Sequence, residues 1–319
     1  MSRRHVLDFE RPIYELEQKV DELERFGRLN DVDVAEGLER LQEQIDVAKE
    51  EIYQHLSPWQ RVQLARHIER PYTLDYIDRI CTDFLELCGD RHFSNDEALV
   101  GGFARIDGRR VMILGQQKGR NPEERQRRHH GSMLPEGYRK ALRLMKLADK
   151  AGLPVISLID TQGAFPGIDS EERHIGEAIA VNLREMFTLT IPIIAIVIGE
   201  GGSGGALGIG VGNRVLLMEN AYYSVITPEG CAAILWKDAN AKERAAEALK
   251  LTSHDLLEFE LIDGIIPEPQ GGANQDYDGA AAAVKTEILE QLQQLDGKSA
   301  DELRAERYEK FRRFGTVTE

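Results

Sequence analysis

The sequence predicts an α/β fold, on three observations. Short apolar runs typical of buried strands alternate with stretches whose apolar residues recur at helical spacing. Turn and capping residues separate the two kinds of segment. The chain has 319 residues, of which 42% are hydrophobic, enough for one large domain with appendages or for two modest domains.

The N-terminal part, residues 9–70, is predicted to be helical and polar. Pro12 suits a first helical turn, and apolar residues then recur at helical spacing in two segments. They are Ile13, Leu16, Val20 and Leu23 in the first segment and Val34, Leu38, Leu41 and Ile45 in the second. Such narrow apolar stripes rarely fold alone, so we expect the helix pair to lie against its own domain or against a partner subunit.

Strands and helices alternate after this region. Residues 98–106 and 110–114 flank Asp107-Gly108, which predicts a β-hairpin with a tight turn. The elements predicted next are a helix that Pro135 opens and Gly152 stops, a strand over 153–159, a helix over about 171–187, a strand over 191–198, a short helix from about 206, strands over 214–218 and 222–226, and helices over about 241–262, 279–294 and 299–313. We expect three regions: an N-terminal helical extension (1–70), a central domain (71–266) and a C-terminal helical region (267–319).

Composition argues against several classes of protein. A net charge of −15 disfavours nucleic-acid binding, which needs a basic surface. No apolar run approaches the 18 or so residues of a membrane span, and the first ten residues resemble neither a signal nor a transit peptide. Three isolated cysteines without CxxC spacing indicate a reducing compartment and no structural zinc site. We therefore expect a cytoplasmic protein with no metal in this chain.

Two glycine-bearing segments follow successive predicted strands. The first loop, residues 160–167, reads DTQGAFPG, and the second loop, residues 199–207, reads GEGGSGGAL. Glycine lets a ligand approach the main chain, and a strand, a glycine run and a helix start together expose N–H groups to negative charge. Three interpretations fit the second loop.

The first interpretation is a dinucleotide fingerprint, Gly199-x-Gly201-x-x-Gly204, with Glu219 at the distance expected of a ribose partner. It would indicate an NAD-dependent oxidoreductase. The helix available between the glycines and the next strand has room for barely two turns, and the motif lies late in the chain.

The second interpretation is a nucleophile elbow, Gly201-x-Ser203-x-Gly205, which would indicate a serine hydrolase. It needs a later histidine, and His254 is the only one downstream. A small loop residue explains Ser203 equally well.

The third interpretation uses both loops as walls of one cleft lined with main-chain donors. Such a site stabilises an enolate or a ureido oxyanion without a side-chain nucleophile. A tight turn without a ligand remains the alternative.

Longer matches favour the third interpretation. The chain resembles the α subunit of the carboxyltransferase of bacterial-type acetyl-CoA carboxylase over nearly its whole length. The matching stretches are residues 7–10, 70–76, 117–120, 135–144, 160–167, 199–207, 223–231, 234–236 and 265–269.

The resemblance implies a crotonase-like fold of repeated ββα turns for residues 71–266. It implies an α2β2 assembly with a β subunit that holds acetyl-CoA, and carboxybiotin delivered on a biotin carboxyl carrier protein that a biotin carboxylase charges. The product would be malonyl-CoA, for fatty-acid synthesis. Loss of CO2 leaves charge on the ureido oxygen of biotin, and preorganised donors would stabilise it.

The resemblance also assigns site residues. The N–H groups of Gly204 and Gly205 would form the oxyanion hole for biotin, with Ala206 as the adjacent alternative. The expected substrate-binding residues are Gly163, Ala164, Phe165, Gly201 and Gly202. Lys118 and Arg120, in a basic patch that includes Arg125, Arg127 and Arg128, are candidates for contact with CoA phosphates or a partner; a solvated loop explains the patch equally well.

Some residues depart from the family pattern or have no assigned role. Gln162 stands where proline is usual, Phe165 stands where tyrosine is common, and residues 121–133, with His129 and His130, look less family-like. Glu200 and Glu229 are candidates for acid–base chemistry, for helix capping or for ion pairing. We expect the two histidines to be surface residues, because adjacent histidines without further spaced ligands are weak evidence for a metal.

Overall fold

The computed structural model describes residues 5–315. Residues 1–4 and 316–319 lie outside the described residues. They include part of the segment considered above as a targeting signal, and the ends of the expected N-terminal helical extension and C-terminal helical region. Across the described part no helix is both long and apolar enough to cross a bilayer.

The described chain forms fourteen α-helices and eight strands. The helices are α1 (Arg11–Asn30), α2 (Ala35–Gln54), α3 (Pro58–Ala65), α4 (Thr73–Ile80), α5 (Pro122–Arg127), α6 (Pro135–Ala151), α7 (Ile168–Glu172), α8 (Ile175–Met186), α9 (Ser203–Leu207), α10 (Pro228–Trp236), α11 (Lys242–Leu249), α12 (Ser253–Glu258), α13 (Tyr277–Leu295) and α14 (Ala300–Arg312). The strands are β1 (Thr82–Glu86), β2 (Leu99–Ile106), β3 (Arg109–Gln116), β4 (Val155–Thr161), β5 (Ile193–Gly202), β6 (Arg214–Met218), β7 (Tyr222–Ser224) and β8 (Gly264–Ile266).

One mixed sheet organises the molecule, in the order β1-β2-β3-β4-β5-β6-β8. The strands β1, β2 and β3 pair antiparallel, and β3, β4, β5, β6 and β8 are parallel. The last residues of β5 pair with β7 instead of β6. Every residue of β4 and β5 is buried, as near-continuous apolar runs in a parallel sheet require. The helices α6 and α8 pack together, with α6 on β2 and β3, and α4 and α13 form a second pair.

Most predicted elements are confirmed, including the hairpin. Asp107 and Gly108 both have positive φ, 47° and 77°, as a tight two-residue turn requires. The helix α6 begins at Pro135 and ends before Gly152, which has the left-handed conformation (φ 64°) of a helix stop.

Several boundaries were predicted wrongly. The single helix expected over 171–187 is two helices, because His174 has a left-handed backbone between them. The helix expected over 241–262 is likewise interrupted after Leu249, where Lys250 is left-handed (φ 49°). The most consequential error concerns β5, which extends four residues beyond its predicted end at residue 198. The sequence did not indicate α4, α5, β1 or β8.

The two outer regions contact the central domain. The helix α3 packs on β5 and β7. The buried guanidinium of Arg307, on α14, donates hydrogen bonds to the carbonyls of Met186, Leu189 and Ile191. The proposed division at residues 70 and 266 stays a prediction.

Candidate active site

The two glycine loops lie against each other at the carboxyl ends of β4 and β5. Thr161 in the first loop pairs with Gly201 in the second. A Cβ atom on Gly202 would lie 2.1 Å from the carbonyl oxygen of Gln162, and one on Gly205 would lie 2.5 Å from the carbonyl carbon of Gly163. Only residues without a side chain allow the two backbones to approach this closely.

The second loop is a strand that continues directly into a helix. Its residues 200–202 belong to β5 and pair with β7. The helix α9 begins at Ser203, three residues before its predicted start, and no side chain caps it at Gly202. The first N–H groups of a helix have no acceptor within it, so those of Gly204 and Gly205 can donate to a ligand.

The structure brings the expected site residues together but exposes them unequally. Gly201, Gly202, Gly205 and Ala206 are buried, whereas Gly204 is half-buried. In the first loop Gly163, Ala164 and Phe165 are also half-buried. A ligand can therefore approach Gly204 and the middle of the first loop from outside.

Beneath both loops lies a network of charges, which we call the loop-base cluster. Its members are Arg66, Lys118, Asp160, Glu200, Tyr222 and Glu229. The ammonium of Lys118 lies 2.8 Å from Asp160 Oδ1 and 2.8 Å from Glu200 Oε1. Asp160 Oδ1 also accepts the N–H of Glu200 at 2.9 Å. Because Asp160 begins the first loop and Glu200 lies near the start of the second, Lys118 ties the two loops at their bases.

Arg66 completes the cluster. Its Nε atom lies 2.8 Å from Glu200 Oε2, and its Nη1 atom lies 2.8 Å from Glu229 Oε1. The Tyr222 hydroxyl donates to Glu200 Oε2 at 2.7 Å. Of the roles left open for Glu200 and Glu229, the structure shows ion pairing.

The pKa values in the cluster follow from burial and pairing. Burial acts to raise the pKa of Glu200, but the charges of Lys118 and Arg66 lower it to about 2. Burial raises the pKa of Asp160, and Lys118 opposes that rise. Burial acts to lower the pKa of Lys118, yet Asp160 and Glu200 together raise it above its ordinary value. Lys118 and Glu200 are therefore charged at neutral pH.

Two pockets adjoin the loops. A polar pocket of about 350 Å³ reaches the first loop at Gln162 and includes Arg66, Lys118 and Glu200 in its wall. An apolar groove of about 460 Å³ reaches the second loop at Ser203 and Gly204. The other walls of this groove include Leu207, Val215, Tyr223, Val225, Leu256, Leu261, Phe311 and Phe314. The first turn of α9 therefore opens onto a surface suited to a ligand with an apolar body.

Arg120 and Lys118, the cations expected at CoA phosphates or at a partner, are engaged within the chain. Arg120 stacks on the ring of Tyr72, 3.8 Å from its centroid, and pairs with Asp75. It also donates to the carbonyl of Arg70 at 2.9 Å. Any phosphate would compete with these partners and with the carboxylates around Lys118.

Ser203 has the backbone of a nucleophile elbow but not its partners. Its φ of 49° is left-handed, at a turn from strand to helix. Within residues 5–315 its hydroxyl makes no hydrogen bond to a histidine or a carboxylate. His254, on α12, lines a different pocket together with Glu50 and Glu268. The serine-hydrolase interpretation is not supported.

The dinucleotide interpretation is not supported either. The helix after the glycines has five residues. Glu219, the expected ribose partner, instead accepts the N–H of Glu268 at 3.2 Å.

The departures from the family pattern lie together. The ring of Phe165 packs on that of His129 with centroids 4.8 Å apart, and the N–H of Phe165 donates to the carbonyl of Met133 at 3.1 Å. Gln162 and His130 line the same polar pocket. Among the residues that the structure describes, no three His, Cys, Asp or Glu side chains are grouped to hold a metal ion.

Sequence reasoning missed Arg66 and Tyr222 as contributors to this region. Asp160 and Glu200 carried a usable signal, since each acid follows an apolar strand run at the edge where the carboxyl ends of parallel strands meet. Nothing in the sequence pairs Arg66, which lies 134 residues before Glu200, with that edge.

Comparisons with known proteins identify the family of the chain. Residues 6–315 match the family described as acetyl co-enzyme A carboxylase carboxyltransferase-like. The acetyl-coenzyme A carboxylase carboxyl transferase subunit alpha of Synechocystis sp. is 53% identical over 317 residues, covering 99% of this chain and 97% of its own length. The protein of the same name from Geobacillus kaustophilus is 52% identical over 312 residues, covering 98% and 96%.

Solved structures match at the level of fold. Transcarboxylase 12S aligns with a TM-score of 0.59 at 22% identity, over 73% of this chain and 45% of its own. The beta subunit of geranyl-CoA carboxylase from P. aeruginosa aligns with a TM-score of 0.56 at 16% identity, over 78% and 46%. The expected α/β, crotonase-like fold is confirmed.

Proposed function

The chain belongs to the family of acetyl-CoA carboxylase carboxyltransferase α subunits, and on that premise we propose that the meeting point of its two glycine loops is its share of a site that receives biotin. It is a subunit of a carboxyl transferase. Family membership implies a β-subunit partner and biotin on a carrier protein.

The complete reaction that we propose needs other chains. An α2β2 assembly would transfer a carboxyl group to acetyl-CoA to form malonyl-CoA for fatty-acid synthesis. The biotin carboxyl carrier protein, charged by a biotin carboxylase, supplies that group as carboxybiotin. We propose the cytoplasm as the location, because the unpaired cysteines indicate a reducing compartment.

The first turn of α9 is the observation that carries the proposal. Its N–H groups at Gly204 and Gly205 belong to the first turn, which supplies no intrahelical acceptor for them, and they lie next to an apolar groove without a capping side chain at Gly202. Biotin fits such a place, because its ring system is largely apolar and ends in a ureido oxygen. We propose that these two N–H groups donate to that oxygen, with the N–H of Ala206 as the adjacent alternative. One donor of this kind raises the rate by a factor of about 10²–10³.

The remaining glycines and the first loop would shape the same site. We propose that Gly163, Ala164 and Phe165 line it, since they are half-buried beside α9. Gly201 and Gly202 would contribute through backbone contact, because both are buried. Lys118 and Arg120 remain proposed contacts for CoA phosphates or a partner, in competition with their internal ion pairs.

A carboxyltransferase assay with and without the candidate β subunit tests the proposal. We expect malonyl-CoA from acetyl-CoA and carboxybiotin only when both subunits are present. Full activity of this chain alone would contradict a shared site. The Ser203→Ala variant should retain turnover within about threefold, because Ser203 contributes no hydroxyl chemistry in this proposal; loss of all activity would revive the hydrolase interpretation.

A further inference from the structure

Gln116 connects the two glycine loops through its side chain. It is the last residue of β3 and is completely buried. Its Oε1 atom accepts the N–H of Asp160, at the start of the first loop, at 2.9 Å. Its Nε2 atom donates to the carbonyl of Gly205, in the second loop, at 2.9 Å. The two bonds define the orientation of the amide, because only its oxygen can accept an N–H and only its nitrogen can donate to a carbonyl.

Gln116 reaches both loops because of where β3 ends. The register of β3 with β4 stops at Gly115 opposite Leu158, one residue before Gln116. Its side chain therefore lies beyond the paired part of β3, beside Asp160 near the end of β4, and reaches α9, which follows β5. The Thr73 hydroxyl donates to the carbonyl of Gln116 at 2.6 Å and holds the residue itself in place.

The bond to Gly205 sets the direction of a donor. A peptide unit is planar, so an anchored carbonyl of Gly205 also anchors the N–H of Ala206. The Tyr138 hydroxyl donates to the same carbonyl at 3.3 Å. The preceding peptide is held through the carbonyl of Gly204, which accepts the N–H of Gly208 at 3.0 Å and thereby orients the N–H of Gly205.

We propose that Gln116 is a positioning residue for the carboxyl transfer. It holds the first turn of α9 against the first loop and so aligns the main-chain donors, without touching the ligand. The proposal rests on the proposed function, because it assigns the donors to the biotin side of that site. An amide is suited to the task, since one side chain must accept from one loop and donate to the other.

The test replaces Gln116 by a side chain of similar length without hydrogen bonds. In the carboxyltransferase reconstituted with its β subunit, Gln116→Met should lower kcat by about 10- to 100-fold and leave the KM for acetyl-CoA within about twofold. Hydrogen exchange of peptides covering residues 199–207 should become at least tenfold faster. Exchange reports on the loop itself, independently of turnover.

Asn213 provides the matched control. It too is a fully buried amide: its Nδ2 donates to the carbonyl of Leu303 at 2.9 Å, and its Oδ1 accepts the N–H of Ile193, at the opposite end of β5. Asn213→Leu should lower Tm while kcat and the exchange of residues 199–207 stay within about twofold of wild type. If Asn213→Leu changed kcat and the exchange of residues 199–207 as much as Gln116→Met does, Gln116 would have only a structural role.

Two further variants keep the proposal testable if Gln116→Met does not fold. Gln116→Glu retains the acceptor for Asp160 but places a carboxylate oxygen at the carbonyl of Gly205, where the two oxygens repel each other. The fall in kcat should therefore be at least as large as in Gln116→Met. Tyr138→Phe removes only the longer of the two bonds to that carbonyl and should lower kcat by about two- to fivefold. A folded Gln116→Met protein with wild-type kcat and exchange overturns the proposal. If the wild-type pair forms no malonyl-CoA, the proposed function fails, and the exchange data still decide whether Gln116 holds the loops.

Discussion

The two glycine loops are held in different ways. The second loop is embedded in the sheet, since β5 is buried through Gly202 and α9 follows without a break. The first loop leaves the sheet at Thr161 and has no regular structure until α7 begins at Ile168. Gln162 and Pro166, between those points, are exposed.

The difference separates two tasks within one site. Charge-stabilising donors must be preorganised, and the second loop places them on backbone that the sheet supports. The first loop depends on side chains and on the segment before α6, through contacts such as that of Phe165 with His129. The departures from the family pattern fall in the first loop and that segment, and not in the backbone that carries the proposed donors.

The largest effect is expected at the contact between the loops. A Cβ atom on Gly205 would lie 2.5 Å and 2.6 Å from the backbone of Gly163 and Ala164, so Gly205→Ala must push the loops apart. Turnover of the reconstituted enzyme should fall by about 10²-fold or more, and Gly205→Val should fall further.

Gly204 provides the control for this substitution. A Cβ there would meet only methyl groups of Ile179, at 3.6 Å and 3.7 Å. Gly204→Ala should fold normally and stay within about tenfold of wild-type turnover. Full activity of Gly205→Val would show that the loops need not meet.

The next largest effect is expected at the loop-base cluster. Lys118→Met would leave two buried carboxylates, Asp160 and Glu200, without their shared cation. Removing one partner of a buried pair costs about 3–5 kcal/mol, which denaturant unfolding measures. Lys146→Met, at a pair in which the lysine side chain is 53% exposed, should cost no more than about 1 kcal/mol. Equal losses in the two variants would show that the cluster does not tie the loops.

Acid should reduce the difference in Tm between wild type and Lys118→Met. The pKa of Glu200 is lowered from 4.5 to about 2, so the stability that it contributes is complete above about pH 4.5 and is lost as pH falls toward 2. The raised pKa of Asp160 acts in the opposite sense, since the folded state then holds that proton more tightly. Once Glu200 is protonated it no longer needs Lys118, so the difference in Tm between the two proteins should shrink as pH falls from about 4.5 toward 2. A constant difference would assign the effect of the substitution to packing.

The sequence predicted most of the alternating elements because their signals are local. Asp107-Gly108 and Pro135 act through their own backbone preferences, and apolar runs identify β4 and β5 regardless of their neighbours. The extension of β5 through residues 199–202 could not be read in this way. Glycine disfavours a strand locally, and it is pairing with β7, some twenty residues later, that makes these residues a strand.

The same distinction between local signals and contacts distant in sequence applies to the candidate site. The glycines were identifiable, because only glycine serves where two backbones meet. The side chains that hold them were not, since Gln116, Arg66 and Tyr222 act across about 20 to 160 residues of sequence. A buried glutamine at the end of a strand carries no local signal of what it binds.

A moderate effect is expected at Phe165. Its half-buried ring packs on His129, and a Cβ atom on Gly167 would lie only 2.4 Å from the ring. Phe165→Ala should lower turnover by about three- to tenfold and Tm by a few degrees, because an aromatic pair contributes about 0.5–1.5 kcal/mol beyond its area. Phe165→Tyr keeps the ring and should match wild type in both measurements. A tenfold gain in Phe165→Tyr would instead assign a role to the missing hydroxyl.

The smallest effect is expected at Gln162, where the family pattern has proline. The residue meets the second loop through its carbonyl oxygen, 2.1 Å from where a Cβ on Gly202 would lie, and proline retains that oxygen. The preceding residue, Thr161, belongs to β4, and extended backbone is what a following proline requires. Gln162→Pro should therefore leave turnover within about twofold and Tm within about 2 °C of wild type, and Gln162→Ala should do the same. A tenfold loss in both variants would mean that the Gln162 side chain acts in the polar pocket beside Lys118 and Glu200, and that the first loop contributes chemistry as well as contact.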